Sequence, residues 1–439
     1  TWATGNYTWN DIYLADFSVR FDGSSDFGSK QRWAPFFSGG LGVNIHNYEF
    51  LKGNEIVNKL KVRASYGRTG KASFPSYAAT TMYEALFDEW YATGFGAVLK
   101  ALGNNNLSWE KTDKFNVGIE MQFLNRRLTV DADYYHDKTI DLVNDVSLSQ
   151  TSGFSSYKDN MGEVLNQGFE LQVRGEVFRN RDWLVALWGN MAHNKNKIVK
   201  ISDSQRAYNL RVEQFYQNSA NEEYGRYNAQ YAVPISQYEE GQSLTSIWAV
   251  KSLGIDPTTG KEIFLNRDGS VSDTWNATQE VVVGNTEPKF NGSVGFNLAY
   301  KAWSLFAAFQ YEWGGQEYNQ TLVDRVENAR IQYQNVDLRV LTDRWKQPGD
   351  IAQFKDIKNA DNVTMPTSRF VQDKAYLRLS ALTLSYDFNR EWIKKHLGMN
   401  MLRLEASTRD FINWNSIRQE RGLSYPKSWT VDFSIKAQF

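Results

Sequence analysis

Apolar residues occupy every second position through long stretches of this chain, and no other feature limits its fold as strongly. In one stretch they are Phe115, Val117, Ile119, Met121 and Phe123, and the positions between them are polar or glycine. Because side chains on a β-strand alternate between its two faces, this stretch predicts a strand with one apolar and one polar face. The same alternation recurs at 15–22, 60–66, 169–174, 293–300 and 305–313.

The length of these stretches separates a membrane barrel from a soluble sandwich. They run to roughly ten residues or more, which a tilted strand needs to cross a bilayer, whereas strands of soluble proteins average about five or six. The 439 residues include 15 Trp, 23 Tyr and 26 Phe, but no apolar run reaches the length of a membrane helix. We therefore predict an all-β chain that forms a transmembrane antiparallel β-barrel.

The connections between the predicted strands fall into two kinds. Tight turns are predicted at 124–126, 179–182 and 301–302, and long loops at 69–108, 197–243 and 314–374. Outer-membrane barrels have short periplasmic turns and long extracellular loops. Alternating the two kinds gives about 14 strands, the first near 11–22 and the last near 428–439. This count requires a periplasmic turn from Leu253 to Lys261.

The final predicted strand alternates up to the last residue. Val431, Phe433, Ile435 and Phe439 lie on one face together with Ala437, and the alternate positions are polar or charged. A last strand with this alternation and a terminal Phe resembles the signal that the bacterial barrel-assembly machinery reads. We assign that role to these four residues.

The residues that usually carry catalysis are sparse. The chain has 0 Cys, and its 4 His stand far apart, so neither a thiolate site nor a metal-ligand spacing is present. Carboxylates within the strands are predicted to face a polar lumen beside basic groups such as Lys61 and Arg174. We predict no catalytic residue, no metal, no cofactor and no enzymatic activity. The net charge of −1 gives no reason to expect a nucleic-acid partner.

Two clusters of aromatic residues in the long loops are candidates for ligand binding. Aromatic faces beside amides and carboxylates suit sugar rings or extended peptides, because the ring packs while the polar groups read hydroxyls or backbone. Glycan is the first expectation and peptide the second. The candidate residues are Trp90, Tyr91, Phe95, Phe215, Tyr216, Tyr224, Tyr227 and Tyr231.

Several short motifs, in this order along nearly the whole chain, resemble the SusC/RagA family of TonB-dependent outer-membrane transporters from Bacteroidetes. Each is a weak signal alone, and their shared order makes the resemblance specific. They are DGSS (22–25), RWAPFFS (32–38), LKVRASYGRTG (60–70), DYY (133–135), NMGEV (160–164), NQGFE (166–170), YLRL (376–379), LTLSY (382–386) and YP (425–426).

The resemblance implies a larger assembly in the Gram-negative outer membrane. Family members are about twice this length and have an N-terminal plug inside a 22-stranded barrel. They pair with a SusD-like surface lipoprotein that captures glycans or peptides, and the TonB complex supplies energy through an N-terminal segment. We therefore expect residues 1–439 to be the C-terminal part of such a barrel, about 14 of its 22 strands, with the plug domain and the early strands absent from this chain.

Two other functions stay open at this point. An even number of about 14 strands permits a complete barrel that acts as a passive channel. Long loops also permit a surface receptor or adhesin that transports nothing. Solute leakage through the purified protein would favour the channel, and ligand binding without uptake would favour the receptor.

Overall fold

The computed structural model describes residues 1–24, 32–71, 79–91, 94–104, 107–147, 156–160, 162–218, 229–329, 331, 336–359, 362–418 and 429–439. Within these ranges, no helix is both long enough and apolar enough to cross a membrane. Strands dominate, as the alternation predicts, and the few helices lie in the connections.

The first half of the chain contains wall strands and the shorter strands of two extracellular hairpins. They are β1 (Trp2–Trp9), β2 (Tyr13–Gly23), β3 (Trp33–Asn44), β4 (Val57–Lys71), β5 (Met82–Tyr91), β6 (Gly94–Ala101), β7 (Glu110–Phe123), β8 (Leu128–Ile140), β9 (Val143–Ser147), β10 (Ser156–Asn160), β11 (Glu163–Arg179) and β12 (Trp183–Lys200).

The second half contains the helices and the remaining strands. The helices are α1 (Asp203–Asn218), α2 (Gln320–Leu322), α3 (Arg339–Thr342) and α4 (Arg390–Leu397). The strands are β13 (Ser246–Ile255), β14 (Glu262–Leu265), β15 (Val271–Ser272), β16 (Glu280–Asn285), β17 (Phe290–Tyr300), β18 (Trp303–Tyr318), β19 (Val371–Asp387), β20 (Met401–Thr408), β21 (Asn413–Asn415) and β22 (Val431–Gln438).

One antiparallel sheet of 14 strands forms the wall and confirms the predicted barrel architecture. Its order is β1-β2-β3-β4-β7-β8-β11-β12-β17-β18-β19-β20-β22, with β21 also beside β19. β20 pairs with Leu382–Asp387 of β19, and β21 pairs with Tyr376–Arg378 of the same strand. β20 and β21 are therefore two segments of one interrupted wall strand.

The predicted periplasmic turn from Leu253 to Lys261 is wrong. β13 and β14 flank it, but they belong to a separate four-stranded sheet of β13–β16. The run from Ile247 to Val250 is buried on both faces of its strand, at 0–6% exposure, whereas a wall strand turns one face to lipid and one to the lumen.

The predicted position of the first strand, 11–22, is wrong as well. This segment forms the second wall strand, because β1 precedes it.

The longest connections between wall strands all lie on one side of the sheet, as predicted. On one side of the sheet they are 10–12, 45–56, 124–127, 180–182, 301–302 and 388–400. On the other side they are 24–32, 72–109, 141–162, 201–289, 319–370 and 416–430. The second side is extracellular by the rule for outer-membrane barrels. The tight turn at Leu124–Arg126 is confirmed, with φ of 56°, 56° and 65° at successive residues.

Two rows of aromatic side chains lie on the apolar face of the wall, one near each end of the strands. The extracellular girdle comprises Phe21, Trp33, Phe37, Tyr66, Phe169, Phe290 and Trp313. The periplasmic girdle comprises Trp9, Tyr13, Tyr48, Trp183, Tyr300, Trp303 and Tyr386.

The spacing of the two girdles matches a bilayer. Trp303 and Trp313 lie on the same face of β18, at opposite ends of its pairing with β17. With a rise of about 3.4 Å per residue and a tilt of about 40°, they are roughly 26 Å apart along the membrane normal. Between the girdles the apolar face is open, with Phe17 58% and Val19 50% exposed. That face is the lipid-facing side of the wall.

Replacing Phe17 with Arg tests which face meets lipid. Phe17 lies midway between girdle residues Tyr13 and Phe21 on β2, so the charge would enter the hydrocarbon centre and cost about 2–4 kcal/mol. Equilibrium urea unfolding in lipid vesicles measures the loss. The matched control is Ser18→Arg on the polar face, for which we expect less than about 1 kcal/mol. Equal losses for the two variants would contradict the assigned orientation.

Candidate functional site: the lumen and the extracellular loop region

Ion pairs between neighbouring strands line the polar face of the wall. Glu120 on β7 contacts Lys59 at 2.5 Å, and Lys61 and Arg63 at 3.4 Å. Arg63 also contacts Asp133 on β8 at 2.7 Å. These side chains keep 21–42% of their surface exposed. The lumen is thus polar and accessible to solvent, as predicted for the strand carboxylates near Lys61.

Two extracellular connections, 201–289 and 319–370, fold together above the wall, and we call them the loop region. One hydrophobic cluster draws on both connections: Ala232, Leu322, Val323, Val326, Ala329, Val340, Phe354 and Phe370. A second cluster contains Val212, Tyr216, Tyr231 and Ala277, with Val363 and Met365 packed against it. The loop region therefore has its own core.

A buried ion-pair cluster fastens the two connections to each other. Arg369 contacts Glu262 of the first connection at 2.9 Å and Glu327 of the second at 2.7 Å. The Glu327 side chain is 0% exposed, and that of Arg369 is 10% exposed. Burial opposes ionisation of Glu327, but the charge and hydrogen bond of Arg369 outweigh it and hold the pKa of Glu327 below its usual value.

A second buried carboxyl group, Glu280, lies at the start of β16 and has no cationic side-chain partner among the described residues. Burial raises its pKa to about 8, although the hydrogen bond from Gln237 and the charge of Arg267 oppose the shift. The Glu280 carboxyl is therefore mainly protonated at neutral pH. Its backbone carbonyl accepts a hydrogen bond from Arg267 at 3.1 Å.

The candidate aromatic residues in α1 and after it lie in different environments. Tyr216 and Tyr231 are buried at 1% and 3% exposure, and the Tyr216 hydroxyl donates to the Val233 carbonyl at 2.6 Å. Phe215 packs against Tyr231 with ring centroids 4.7 Å apart. The ligand role of this cluster stays a prediction, and for Tyr216 and Tyr231 it requires the loop region to open. Tyr224 and Tyr227 lie outside the described residues.

The other candidate aromatic cluster lies on a hairpin of β5 and β6. The backbones of Trp90 and Phe95 are paired across it, as are those of Tyr91 and Gly94. The side chains of Trp90, Tyr91 and Phe95 lie outside the described residues, so their ligand role stays a prediction. On the same hairpin, Tyr83 and Phe87 are 70% and 67% exposed.

The final strand is at the edge of the sheet, paired to β20 on one side. Val431, Phe433 and Ile435 on β22 are 55%, 81% and 71% exposed, and Phe439 follows at 80%. These apolar side chains alternate along the strand as expected. Their role as an assembly signal stays a prediction.

The sequence reasoning missed the Arg369 cluster. Arg369 lies 107 residues from Glu262 and 42 from Glu327 in the chain, so no periodicity or local motif connects them. The only local signal is a charged residue beside an apolar one, Arg369 before Phe370, where the guanidinium lies 4.4 Å from the ring centroid.

Comparisons with known proteins agree on one family. Residues 1–407 match a family model described as "TonB dependent receptor-like, beta-barrel". TonB-dependent receptor P39 of Formosa agariphila is 26% identical over 99% of this chain and 45% of its own length. TonB-dependent receptor SusC of Bacteroides thetaiotaomicron is 33% identical over 45% of this chain and 20% of its own length. The chain thus spans less than half the length of these relatives.

Solved structures share the fold. The RagAB peptide transporter superposes with a TM-score of 0.77 over 95% of this chain and 44% of that chain, at 24% identity. The open state of the same importer covers 100% of this chain with a TM-score of 0.78. At this level of identity the likeness establishes the fold alone.

Removing the guanidinium at Arg369 tests the link between the two connections. Arg369→Ala leaves Glu327 buried without its ion-pair partner, which costs about 3–5 kcal/mol. We expect hydrogen exchange of β14 and of residues 323–327 to accelerate accordingly. Arg206→Ala is the matched control, because Arg206 is 57% exposed in its pair with Glu240 and its loss costs about 0–1 kcal/mol. Unchanged exchange in Arg369→Ala would contradict the role of the cluster.

The raised pKa of Glu280 predicts that the loop region weakens as pH rises. A folded pKa of about 8, above the ordinary glutamate value of 4.5, means that the unfolded state releases its proton first. Stability therefore falls between pH 4.5 and 8, on the order of 2–4 kcal/mol. Hydrogen exchange of β16, corrected for intrinsic rates, measures this loss. Glu280→Gln should remove the dependence, and a slope that persists in that variant would contradict the assignment.

Proposed function

The chain belongs to the TonB-dependent receptor β-barrel family of the outer membrane, and on that premise we propose that it supplies barrel wall, extracellular loops and part of the ligand vestibule of an active nutrient importer. The observation that carries the proposal is the pairing of a solvated, charged lumen with an ordered loop region above it. A polar ligand held by the loops would meet a polar face on its way inward. The family comprises receptors and transporters and is not an enzyme class.

The proposed importer works with partners. The match to a receptor named SusC and the fold shared with the RagAB transporter support pairing with a SusD-like surface lipoprotein. Energy would come from the TonB complex through a region that these 439 residues do not display. We propose that the chain is the C-terminal part of the barrel, because it covers 44% of the RagAB chain that it matches in fold.

The proposed ligand is an oligosaccharide or a peptide. The solved structure with the shared fold is that of a peptide transporter, whereas the motif resemblance favours a glycan. Exposed aromatic residues on the β5–β6 hairpin, Tyr83 and Phe87, offer faces that either ligand could use. A lumen with cations beside carboxylates accommodates peptide termini as well as sugar hydroxyls.

A passive channel made by this chain alone is the weaker reading. A self-contained barrel needs its first and last strands to pair, because an open edge leaves backbone groups unsatisfied in lipid. Among the described residues β1 pairs with β2, and β22 pairs with β20, but β1 and β22 do not pair with each other.

Dependence of uptake on cellular energy separates the three functions. We expect cells that express the protein to take up labelled oligosaccharide or peptide, and removal of TonB to reduce uptake to the level of cells without the protein, while surface binding persists. Binding and uptake of the label are measured separately in the same cells. Uptake that survives removal of TonB would establish a channel, and binding without uptake in either strain would establish a receptor.

A further inference from the structure

On the extracellular side of the wall, the pairing between β12 and β17 ends early and leaves a gap, which we call the seam. β12 and β17 pair only up to Ala192 and Asn291, although β12 continues to Lys200 and β18 continues to Tyr318. Residues 241–246 and 282–289 bridge the gap. A cavity of about 760 Å³ lies at this seam, and its lining includes His193, Lys195, Lys289 and Trp313.

The register places several lining side chains on the lipid-facing side. His193 pairs with Phe169 in the ladder, and its ring lies 5.4 Å from that of Phe169 and 5.6 Å from that of Phe290. Both aromatic residues belong to the extracellular girdle. The ladder between β11 and β12 is regular from His193 to Lys197, so Lys195 projects from the same face. Trp313 is also in that girdle, 68% exposed.

The cavity therefore lies where the outer leaflet ends. Lys195 stands just beyond the girdle, at the height of lipid head groups. The backbone carbonyl of Lys289 is bonded to His193 Nδ1 at 2.5 Å. The stem of Lys289 crosses Gly314, where an added Cβ would lie 2.9 Å from the lysine Cβ. Lys289 is thereby held beside Trp313.

The charge of this cavity is not balanced within the described residues. Two other cations beyond the girdle are paired, Lys138 with Glu163 at 2.8 Å and Lys111 with Asp141 at 3.3 Å. Lys195 and Lys289 have no ion pair in the part of the chain that the structure describes.

The acidic groups that line the cavity are already hydrogen-bonded to amides. Glu287 accepts from the Asn196 backbone N–H at 3.1 Å and from the Asn194 side chain. Asp373 accepts from Gln316 at 3.2 Å. Lys195 and Lys289, which have no ion pair among the described residues, thus line a cavity whose carboxylates are hydrogen-bonded to amides.

We propose that this cavity binds the phosphorylated head group of a glycolipid in the outer leaflet. Lys195 and Lys289 would neutralise the phosphate, since an ammonium group is a compact charge that binds phosphate well. The Trp313 ring would pack against the sugar, and the amides of Gln242 and Asn285, which line the same cavity, would meet its hydroxyls. The proposal depends on residence in the outer membrane and not on the transported ligand.

The test uses the protein extracted from outer membranes in mild detergent. Native mass spectrometry with added diphosphoryl lipid A should show one tightly bound molecule. Lys195→Gln combined with Lys289→Gln should weaken its binding about thirtyfold, from two lost lysine–phosphate interactions. Lys251→Gln is the matched control, since Lys251 is an exposed lysine on β13 that does not line the cavity, and it should leave binding unchanged.

Two further probes identify the source of the phosphate. Dephosphorylated lipid A should bind as weakly to the wild type as diphosphoryl lipid A binds to the double variant. Inorganic phosphate at equal concentration should not displace the lipid, because it lacks both the sugar that packs against Trp313 and the acyl chains that lie against the apolar face of the wall. Three outcomes would each overturn the proposal. The double variant could bind diphosphoryl lipid A as tightly as the wild type does, the wild type could bind dephosphorylated lipid A equally tightly, or inorganic phosphate could displace the lipid. Folding of each variant is checked by its heat-modifiable mobility on gels, which the double substitution should leave intact.

Discussion

Hydrogen bonding of the backbone within the membrane is the constraint on which the whole structure depends. Each peptide group in hydrocarbon must find a partner within the protein, because no water is available there. Antiparallel pairing meets this demand between neighbouring wall strands, and among the described residues only the outer edges of β1 and β22 lack a partner strand. The period of two then follows, since one face of every strand meets lipid and the other meets solvent in the lumen. The same rule therefore explains why Phe17 faces lipid and Glu120 faces the lumen.

The loop region obeys a different rule. Outside the membrane, water satisfies exposed backbone groups, so order must come from burial of side chains. The cluster around Phe370 and the ion pairs of Arg369 supply that order by joining two connections that are distant in sequence. A buried ion pair of this kind adds little net stability. Separating its two partners is nevertheless costly, because each would leave a buried charge without a partner. The result is a defined extracellular surface above a polar lumen, which is the arrangement that the proposed binding and import function requires.

The wall could be predicted from the sequence because the features that specify it involve residues close together in the chain. The faces of β7, the turn at Leu124–Arg126 and the position of the longest connections on one side of the sheet all follow from residues that are neighbours in the chain. The same reasoning misplaced β13. A short apolar run such as Ile247–Val250 has the same sequence pattern whether it is buried in a small sheet or faces lipid. It could not distinguish Tyr216, which is buried, from Tyr83, which is exposed. Burial of an aromatic ring in a loop is decided by distant partners.

The central claim, that one face of every wall strand meets lipid, is tested most directly by single cysteines. The chain has 0 native Cys, so each introduced thiol reports alone. In the membrane-embedded protein, cysteines at Phe17, Val117 and Val294 should resist a hydrophilic maleimide, whereas those at Ser18, Asn116 and Ser293 should react. Alternation of reactivity with a period of two is the predicted result. Uniform reactivity along these strands, or reactivity with the opposite phase, would contradict the account.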